Sequence, residues 1–503
     1  MKVYNSLSAK QCNLLHPPTT SSSSTATRTT TATSTTSRRG MAWYICGPTV
    51  YDSAHLGHGR TYVTMDIFRR IALHLHNNNN DDCNNNTPRP LYVMNITDVD
   101  DKIIKRSMEY TTKATVEEID PLELARYYEY EFWSDMELLN VRKPDVICRV
   151  SEHVVDTIVP YIQQIVEGGM AYVIPEGEGE EAGGEEEGSV YFDVRAFEHV
   201  TNGRTKYGKL APDIVASTID DFFSWDDHES KNAKSGEEDI NNDDASVVAE
   251  NDNDEGEMIR RKKRDPRDFC LWKYRPRSIS QSSQSSSNII EPKSVSYTSP
   301  WGPGRPGWHV ECSAMIERLS NDFNKTHEFT VHAGGVDLKF PHHSNEIAQS
   351  EAYNVAKRSS NRIHMSGISN NMCSEDDNAI SIDGGDDDED DTKKFKEWIP
   401  HWIHTGHLYV KGRKMSKSLK NFITIREMLG ISSSSTSSSN NHDDDDEAAP
   451  TTSEQQNNSA WSSPADDFRL WCLGLSGAYR GPATYSKDRM EEARVIREKG
   501  YVS

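Results

Sequence analysis

The chain reads as an α/β protein whose core is a parallel sheet covered by helices, and three observations predict it. The short apolar run Trp43-Tyr44-Ile45-Cys46 breaks at Gly47-Pro48 and gives way to a helical pattern. A second compact apolar run, 90–96, leads into Thr97-Asp98-Val99-Asp100-Asp101, with acids where the first turn of a helix favours them. Strand-then-helix units in succession are the signature of a helix-covered parallel sheet, with ligands bound across the carboxyl ends of its strands. Third, no apolar run approaches the roughly 20 residues that span a bilayer, so the reading includes no membrane helix.

In chain order, Val63, Ile67, Ile71 and Leu75 recur at helical spacing beside Phe68, so residues 58–75 should lay one apolar stripe on the sheet. The polar loop before them sits at a helix N-terminus, where unpaired N–H groups and the helix dipole favour a phosphate. Gly57 and Gly59 let a ligand approach the backbone, and His55 and His58 add two donors within one turn. Between 121 and 168 the periodicity is helical twice over: Leu122, Leu124, Tyr128, Phe132 and Leu138, then Ile147, Val150, Val154, Ile158, Ile162 and Ile165. Residues 190–194 read as a strand, and 265–273 as the return of the chain to the half of the molecule that opened it. A strand follows at 328–333, then a helix at 341–353 opened by proline. Residues 466–475 and 486–499 read as two helices.

Only 35% of the 503 residues are hydrophobic. Low-complexity stretches explain this: Ser/Thr at 19–37, Asn at 77–86, Glu/Gly at 176–188, acids at 226–257 and 375–391, Ser at 278–287, and Ser/Asn/Asp at 432–458. None can bury a core, so each is expected to be a disordered loop. The net charge is -23, yet 176–188, 226–257, 375–391 and 443–447 hold 35 of the 79 acids and two of the 56 bases. The rest of the chain is therefore net +10, a sign that suits a polyanionic partner. Eight cysteines without CxxC spacing fit a reducing compartment rather than a disulfide framework. The first 51 residues lack Asp and Glu and carry Arg28, Arg38 and Arg39 among Ser and Thr, as an organellar leader would.

Several residues could carry chemistry. Lys411 to Asn421 is a basic, small-residue loop flanked by the apolar runs around Leu408 and Phe422, which alone could be a solvated turn. His342 and Glu346, four apart on the expected helix, leave one face and can share an ion or simply form a hydrogen-bonded surface pair. Cys46 and Cys312 taken alone read as buried free thiols.

Taken together, these segments resemble known signatures. His55-Leu56-Gly57-His58 and Lys414-Met415-Ser416-Lys417-Ser418 resemble the two motifs of class I aminoacyl-tRNA synthetases, HIGH and KMSKS. Residues 46–52, 95–102, 304–315 and 340–350 narrow the resemblance to the cysteinyl-tRNA synthetase family. It implies a Rossmann-like catalytic domain in two halves, 1–119 and 266–430. It also implies a connective domain inserted at 120–265, an insert at 431–465 and the start of a helical stem-contact domain at 466–503.

The resemblance further implies one zinc ion on Cys46, Cys312, His342 and Glu346, with the adjacent His343 not a ligand. Trp308 and His332 should wall the cysteine side-chain pocket, and Thr97 should hold the amino end. ATP with Mg2+ should meet Gly47, His55, Gly57, His58, Asp337, Lys414, Ser416 and Lys417, with His55, His58, Lys414 and Lys417 as the catalytic set. The implied partners are ATP, L-cysteine and tRNA(Cys), with no membrane and a monomer favoured. Zinc gives a physical basis for the choice: a soft thiolate binds it far better than a hydroxyl, so cysteine is taken over serine.

The sequence departs from the family pattern in places. Lys420 replaces a frequent glycine and, with 421–425, looks like the eukaryotic cytosolic branch; Ala333 stands where glycine often precedes Gly334-Gly335. The chain ends at Ser503, before the family's helical bundle and anticodon domain. This keeps two rival readings in view, a tRNA-independent cysteine ligase and a non-catalytic zinc or RNA-binding remnant. Residues 3–7 resemble the family's opening strand, which favours the cytoplasm over an organelle.

Overall fold

The computed structural model describes residues 1–14, 39–79, 87–113, 119–175, 187–201, 203, 205–216, 263–275, 295–369, 397–415, 422–431 and 463–500. The low-complexity stretches named above lie mostly or wholly outside these residues, as do Ser416 and Lys417, and of Lys414 only the main chain is described.

The first part of the chain forms β1 (Lys2–Asn5), β2 (Lys10–Asn13), β3 (Gly40–Ile45), α1 (Leu56–Asn79), β4 (Leu91–Ile96), α2 (Asp101–Lys113), α3 (Pro121–Leu138) and β5 (Val146–Arg149). Next come α4 (Val159–Glu167), β6 (Ala171–Pro175), β7 (Gly188–Phe192), α5 (Val194–Val200), β8 (Phe269–Tyr274) and β9 (Gly304–Pro306). Then follow α6 (Trp308–Asp322), β10 (His327–Gly335), α7 (Ser344–Ser369), β11 (His401–Thr405), β12 (Leu408–Val410) and β13 (Arg413–Lys414). The last described elements are α8 (Ile425–Met428), α9 (Pro464–Leu470), β14 (Ala483–Tyr485) and α10 (Lys487–Gly500).

The expected parallel core is present. A five-stranded sheet runs in the order β11-β10-β3-β4-β5, and β10–β3, β3–β4 and β4–β5 pair in parallel. Buried on both faces, its strands are nearly continuous apolar runs: Trp43, Tyr44 and Ile45 in β3, and Tyr92, Val93 and Met94 in β4. The second helical pattern begins differently from expectation. Its first residues, Val146, Ile147 and Cys148, form β5 against Val93, Met94 and Asn95, because a β-branched run beside an open strand edge gains more from pairing than from helical spacing. Helical turns resume at Val150–Glu152 and Val154–Ile158 and continue into α4.

Residues 265–273 lead into β8. β8 closes a second, four-stranded sheet in the order β6-β7-β8-β9 with antiparallel pairing, so the chain regains the parallel core through α6. A buried network fixes the corner: the Asp268 carboxylate accepts from the Val194 N–H, the Tyr172 hydroxyl and the Asp265 N–H at 2.9–3.0 Å.

Contacts divide the chain into two compact units. One comprises Met1–Thr49, His76–Ala125 and Asp145–His404; the other comprises Val50–Leu75, Arg126–Pro144 and Thr405–Ser503. The first holds both sheets just described and one large apolar core, which includes Val93, Ile162, Phe192, Trp272, Met315 and Trp402. Its N-terminal hairpin, β1–β2, is tied in by the Ser6 N–H donating to Trp402 O at 2.8 Å and the Trp402 N–H donating to Asn5 Oδ1 at 3.0 Å.

The second unit holds most of α1 and a small sheet in the order β13-β12-β14. The apolar stripe expected on α1 is displaced. Ile71 is 37% exposed, while burial falls on Leu56, Val63, Met65 and Ala72, with Arg60, Asp66 and Arg69 among them. These polar residues lie in the buried face because they are satisfied there. Asp66 accepts from Arg70 Nε and Arg469 Nη2, each at 2.7 Å, and from the Arg142 N–H at 3.1 Å.

Candidate active site

In the first unit, the carboxyl ends of β3, β4 and β10 meet. The Cys46 N–H donates to Ala333 O at 2.9 Å, continuing the β3–β10 ladder, and Thr49 bridges Thr97 in parallel. Gly47 is required there: a Cβ would lie 1.7 Å from Asn95 O, and its N–H donates to Asn95 Oδ1 at 2.9 Å. Cys46 thus projects from the end of β3, Cys312 from the second turn of α6, and His342 and Glu346 from the turn into α7.

Those four side chains, scattered over 300 positions, converge in one buried cluster. Cys46 Sγ lies 3.9 Å from Cys312 Sγ, 3.6 Å from His342 Nε2 and 3.9 Å from Glu346 Oε1. Cys312 Sγ lies 3.7 Å from His342 Nε2, and His342 Nε2 lies 3.0 Å from Glu346 Oε1. A tetrahedron with bonds of about 2.1–2.3 Å has ligand–ligand edges of roughly 3.4–3.8 Å, so the donor set fits zinc in both chemistry and spacing. The short His342–Glu346 edge is an ion pair that the cation would replace.

Outer partners fix the donors. His332 Nε2 lies 2.7 Å from Glu346 Oε2, leaving Oε1 for the cluster, and His309 Nδ1 lies 3.0 Å from His342 Nδ1, leaving Nε2. Burial and the His342 charge hold His309 well below the ordinary histidine value, so it stays neutral and accepts. A second grouping, Cys46, His332, His343 and Glu346, overlaps the first. The two groupings share Cys46 and Glu346 and differ in Cys312 and His342 against His332 and His343. The Cys46 hydrogen bond, against burial, brings Cys312 down to about 6. His343 Nε2 lies 3.3 Å from Cys46 Sγ, its Nδ1 meets His404 Nε2 at 2.8 Å, and His404 Nδ1 meets Ser6 Oγ at 2.8 Å.

The charges of the cluster dictate how a cation enters. Burial opposes ionisation of Glu346, but His332 and His342 overcome it and hold the carboxyl down at about 2. Burial likewise opposes His342, but Glu346 raises it to about 10, and burial pushes the Cys46 thiol up. Near pH 7.5, Cys312 and Glu346 are therefore ionised while His342 and Cys46 carry protons that zinc must displace. We expect about two protons released per zinc, and affinity rising about 100-fold per pH unit between pH 6 and the ordinary thiol range. Calorimetry in buffers of different ionisation enthalpy measures this, and zinc binding with no proton release would contradict it.

The other expected pocket residues lie nearby. Trp308, half-buried at the start of α6, stacks on His342 with ring centres 4.3 Å apart, and the Lys102 ammonium lies 5.9 Å from its ring. His332 is fully buried and stacks on Trp402 at 4.6 Å, as the partner of Glu346 just described. Thr97 Oγ1 donates to Glu311 Oε2 at 3.3 Å. Glu311 was not visible as a site residue from sequence. It is buried, and burial together with Cys312, Asp100 and Asp98 raises its pKa well above the carboxylate range. Asp337 is exposed in the turn after β10.

In the second unit, His55 and His58 open α1. Their rings stack 3.9 Å apart at 9°, and the His58 N–H donates to His55 Nδ1 at 3.3 Å. The space a Cβ on Gly57 would need is filled by the His55 ring, 2.8 Å away. The segment after the lysine loop crosses this turn: the Leu56 N–H donates to Ile423 O at 3.0 Å, and His55 bridges Thr424. Thr424 caps α8 in a capping box with Glu427. Within this unit, contacts among the described residues thus join the His55 turn to residues 423–425, which follow the lysine loop.

Among known proteins, the chain is 37% identical over 391 residues to a cytoplasmic cysteine--tRNA ligase of Dictyostelium discoideum, covering 78% of this chain and 41% of that one. It is 35% identical over 386 residues to a cysteine--tRNA ligase of Encephalitozoon cuniculi, covering 77% and 53%. It is 32% identical over 496 residues to a probable mitochondrial cysteine--tRNA ligase of Xenopus tropicalis, covering 98% and 54%. The chain spans about half the length of these relatives. The family described as tRNA synthetases class I (C) catalytic domain matches residues 32–374 and 388–437, most of the chain and every signature stretch discussed above, and the chain belongs to that family.

Proposed function

We propose that this chain activates L-cysteine with ATP and Mg2+ to cysteinyl-adenylate and transfers the cysteinyl group to tRNA(Cys). The convergence of Cys46, Cys312, His342 and Glu346 carries the reading, because two thiols, an imidazole and a carboxylate at tetrahedral spacing are a site for a thiophilic ion. When bound, zinc supplies a place for the substrate thiolate, which serine's hydroxyl cannot fill.

The chain's own residues do the rest. Trp308 walls the side chain of cysteine, and Thr97 with Glu311 faces its amino end. The carboxylate oxygen of cysteine attacks the α-phosphorus of ATP and pyrophosphate leaves; the terminal hydroxyl of tRNA then attacks the carbonyl and AMP leaves. No protein nucleophile takes part, so the protein's contribution is positioning and charge stabilisation. His55 and His58, at the amino end of α1, meet the charge that grows on the phosphates. Gly47 and Gly57, whose missing side chains leave room for Asn95 O and the His55 ring, belong to the ATP-binding set, and Asp337 helps fix the nucleotide. Lys414, Ser416 and Lys417 draw off the pyrophosphate. We place the enzyme in the cytoplasm; residues 1–14 are hydrogen-bonded into the first unit, which supports reading them as part of the folded enzyme.

Pyrophosphate exchange tests the first step, with cysteine expected to drive exchange at least about 1,000-fold better than serine. Transfer to a tRNA(Cys) transcript tests the second. Exchange without transfer would indicate a different acceptor, and zinc binding without exchange would indicate a non-catalytic remnant.

A further inference from the structure

Arg60 is 1% exposed, and its guanidinium donates to main-chain carbonyls from two separate segments of the second unit. Nη1 donates to Gly406 O at 2.6 Å and His407 O at 2.9 Å; Nη2 donates to Gly481 O at 2.8 Å and Tyr479 O at 3.4 Å. The first pair immediately precedes β12, and the second immediately precedes β14. No carboxylate is among these partners. A buried arginine satisfied by carbonyls alone forgoes the Coulombic return of an ion pair, and the planar five-donor fork is what lets one side chain hold two strands at once.

The seam it closes is tight. The Gly406 N–H donates to Tyr479 O at 2.9 Å, the Ala483 N–H donates to His407 O at 3.0 Å, and Thr61 Oγ1 meets Thr405 Oγ1 at 2.7 Å. A Cβ on Gly406 would lie 2.0 Å from Gly481 O. β12 leads directly into β13, where Tyr409 pairs with Lys414. Arg60 itself stands two residues after His58 on α1. One guanidinium therefore joins the helix that presents the histidines to the root of the hairpin whose second strand ends at Lys414.

We infer that Arg60 is a positioning residue that sets the β12–β13 hairpin, and with it the main chain at Lys414, against the amino end of α1 for the adenylate-forming step. The inference rests on the proposed ATP-dependent activation of cysteine. It assigns Arg60 no contact with substrate. Lysine at this position keeps the charge but is a point donor that cannot span both segments.

Two measurements on Arg60→Lys and Arg60→Met test it. In hydrogen–deuterium exchange, the amides of 406–415 and 479–485 should exchange at least about tenfold faster, while those of β3 and β4 stay unchanged. In pyrophosphate exchange, kcat should fall on the order of 100-fold, with zinc content and the cysteine KM held within about twofold. Should both variants fail to fold, Thr61→Ala opens the same seam by one bond and should shift both readouts in the same direction by about threefold.

An unchanged seam overturns the tether. A loosened seam with unchanged kcat overturns the positioning role, as does an equal loss in kcat and cysteine KM, which a general loss of structure would give. Wild-type protein without cysteine-dependent exchange would overturn the activity reading, and the role of Arg60 in catalysis with it, while the amide exchange still decides the tether.

Discussion

Replacing Cys312 with alanine is expected to leave less than a tenth of a zinc ion per chain and to reduce cysteine-dependent pyrophosphate exchange by roughly 1,000-fold or more. Of the two thiols in the cluster, Cys312 is the one drawn down and Cys46 the one pushed up, so Cys312 is the better able to hold the ion before substrate arrives. Its removal also leaves the His342–Glu346 pair intact at 3.0 Å, a self-neutral pair with little reason to admit a dication. Cysteine then loses the group that distinguishes it, and serine gains nothing. Cys148→Ala is the control, because Cys148 is buried in the same core yet stands outside the donor set. It should lower stability by about 1 kcal/mol through a small cavity while keeping zinc and exchange. Elemental analysis and exchange kinetics on both variants give the comparison; a zinc-replete, active Cys312→Ala protein would remove the basis for cysteine selection.

How much of this was legible in the sequence depends on the range over which each interaction acts. α1, β4 and the turn into α7 follow from local periodicity, proline and capping signals, and they fall where the pattern puts them. The His342–Glu346 pair was legible as well, since four residues on a helix is a local distance. The meeting of Cys46 with Cys312 was not, because nothing within either segment encodes a partner 266 residues away. Only the resemblance to a family joined them.

The same limit hid the partners of the cluster. His309 lies in the quoted stretch around Trp308, but its contact with His342 spans 33 residues, and that of Glu311 with Thr97 spans 214. β5 escaped the periodicity because the short run Val146-Ile147-Cys148 suits a strand as well as a helix, and pairing with β4 decided between them. The displaced face of α1 has a comparable cause: Arg60, Asp66 and Arg69 look like a solvent face until their partners from distant segments are seen.

Lys417→Ala is expected to slow adenylate formation about 1,000-fold, equivalent to about 4 kcal/mol of transition-state stabilisation, with zinc content and the cysteine KM unchanged. Lys417 lies outside the described residues, but both ends of its loop are anchored in the second unit. Met415 is 7% exposed and donates its N–H to Leu408 O, and on the far side Ile423 and Ile425 bond to Leu56 and Ala54. On the proposed function the Lys417 ammonium meets the phosphates at the amino end of α1, where charge on the departing pyrophosphate grows between ground state and transition state. A cation aimed at that growing charge stabilises the transition state more than the bound substrate, so its loss falls on kcat rather than on cysteine affinity. Lys417→Arg keeps the charge with a different donor geometry and should recover part of the loss. Single-turnover formation of cysteinyl-adenylate reads the step directly. An alanine variant with the wild-type rate would mean that charge at this position takes no part in the chemistry, and the pyrophosphate would then have to be held by Lys414 and the amino end of α1 alone.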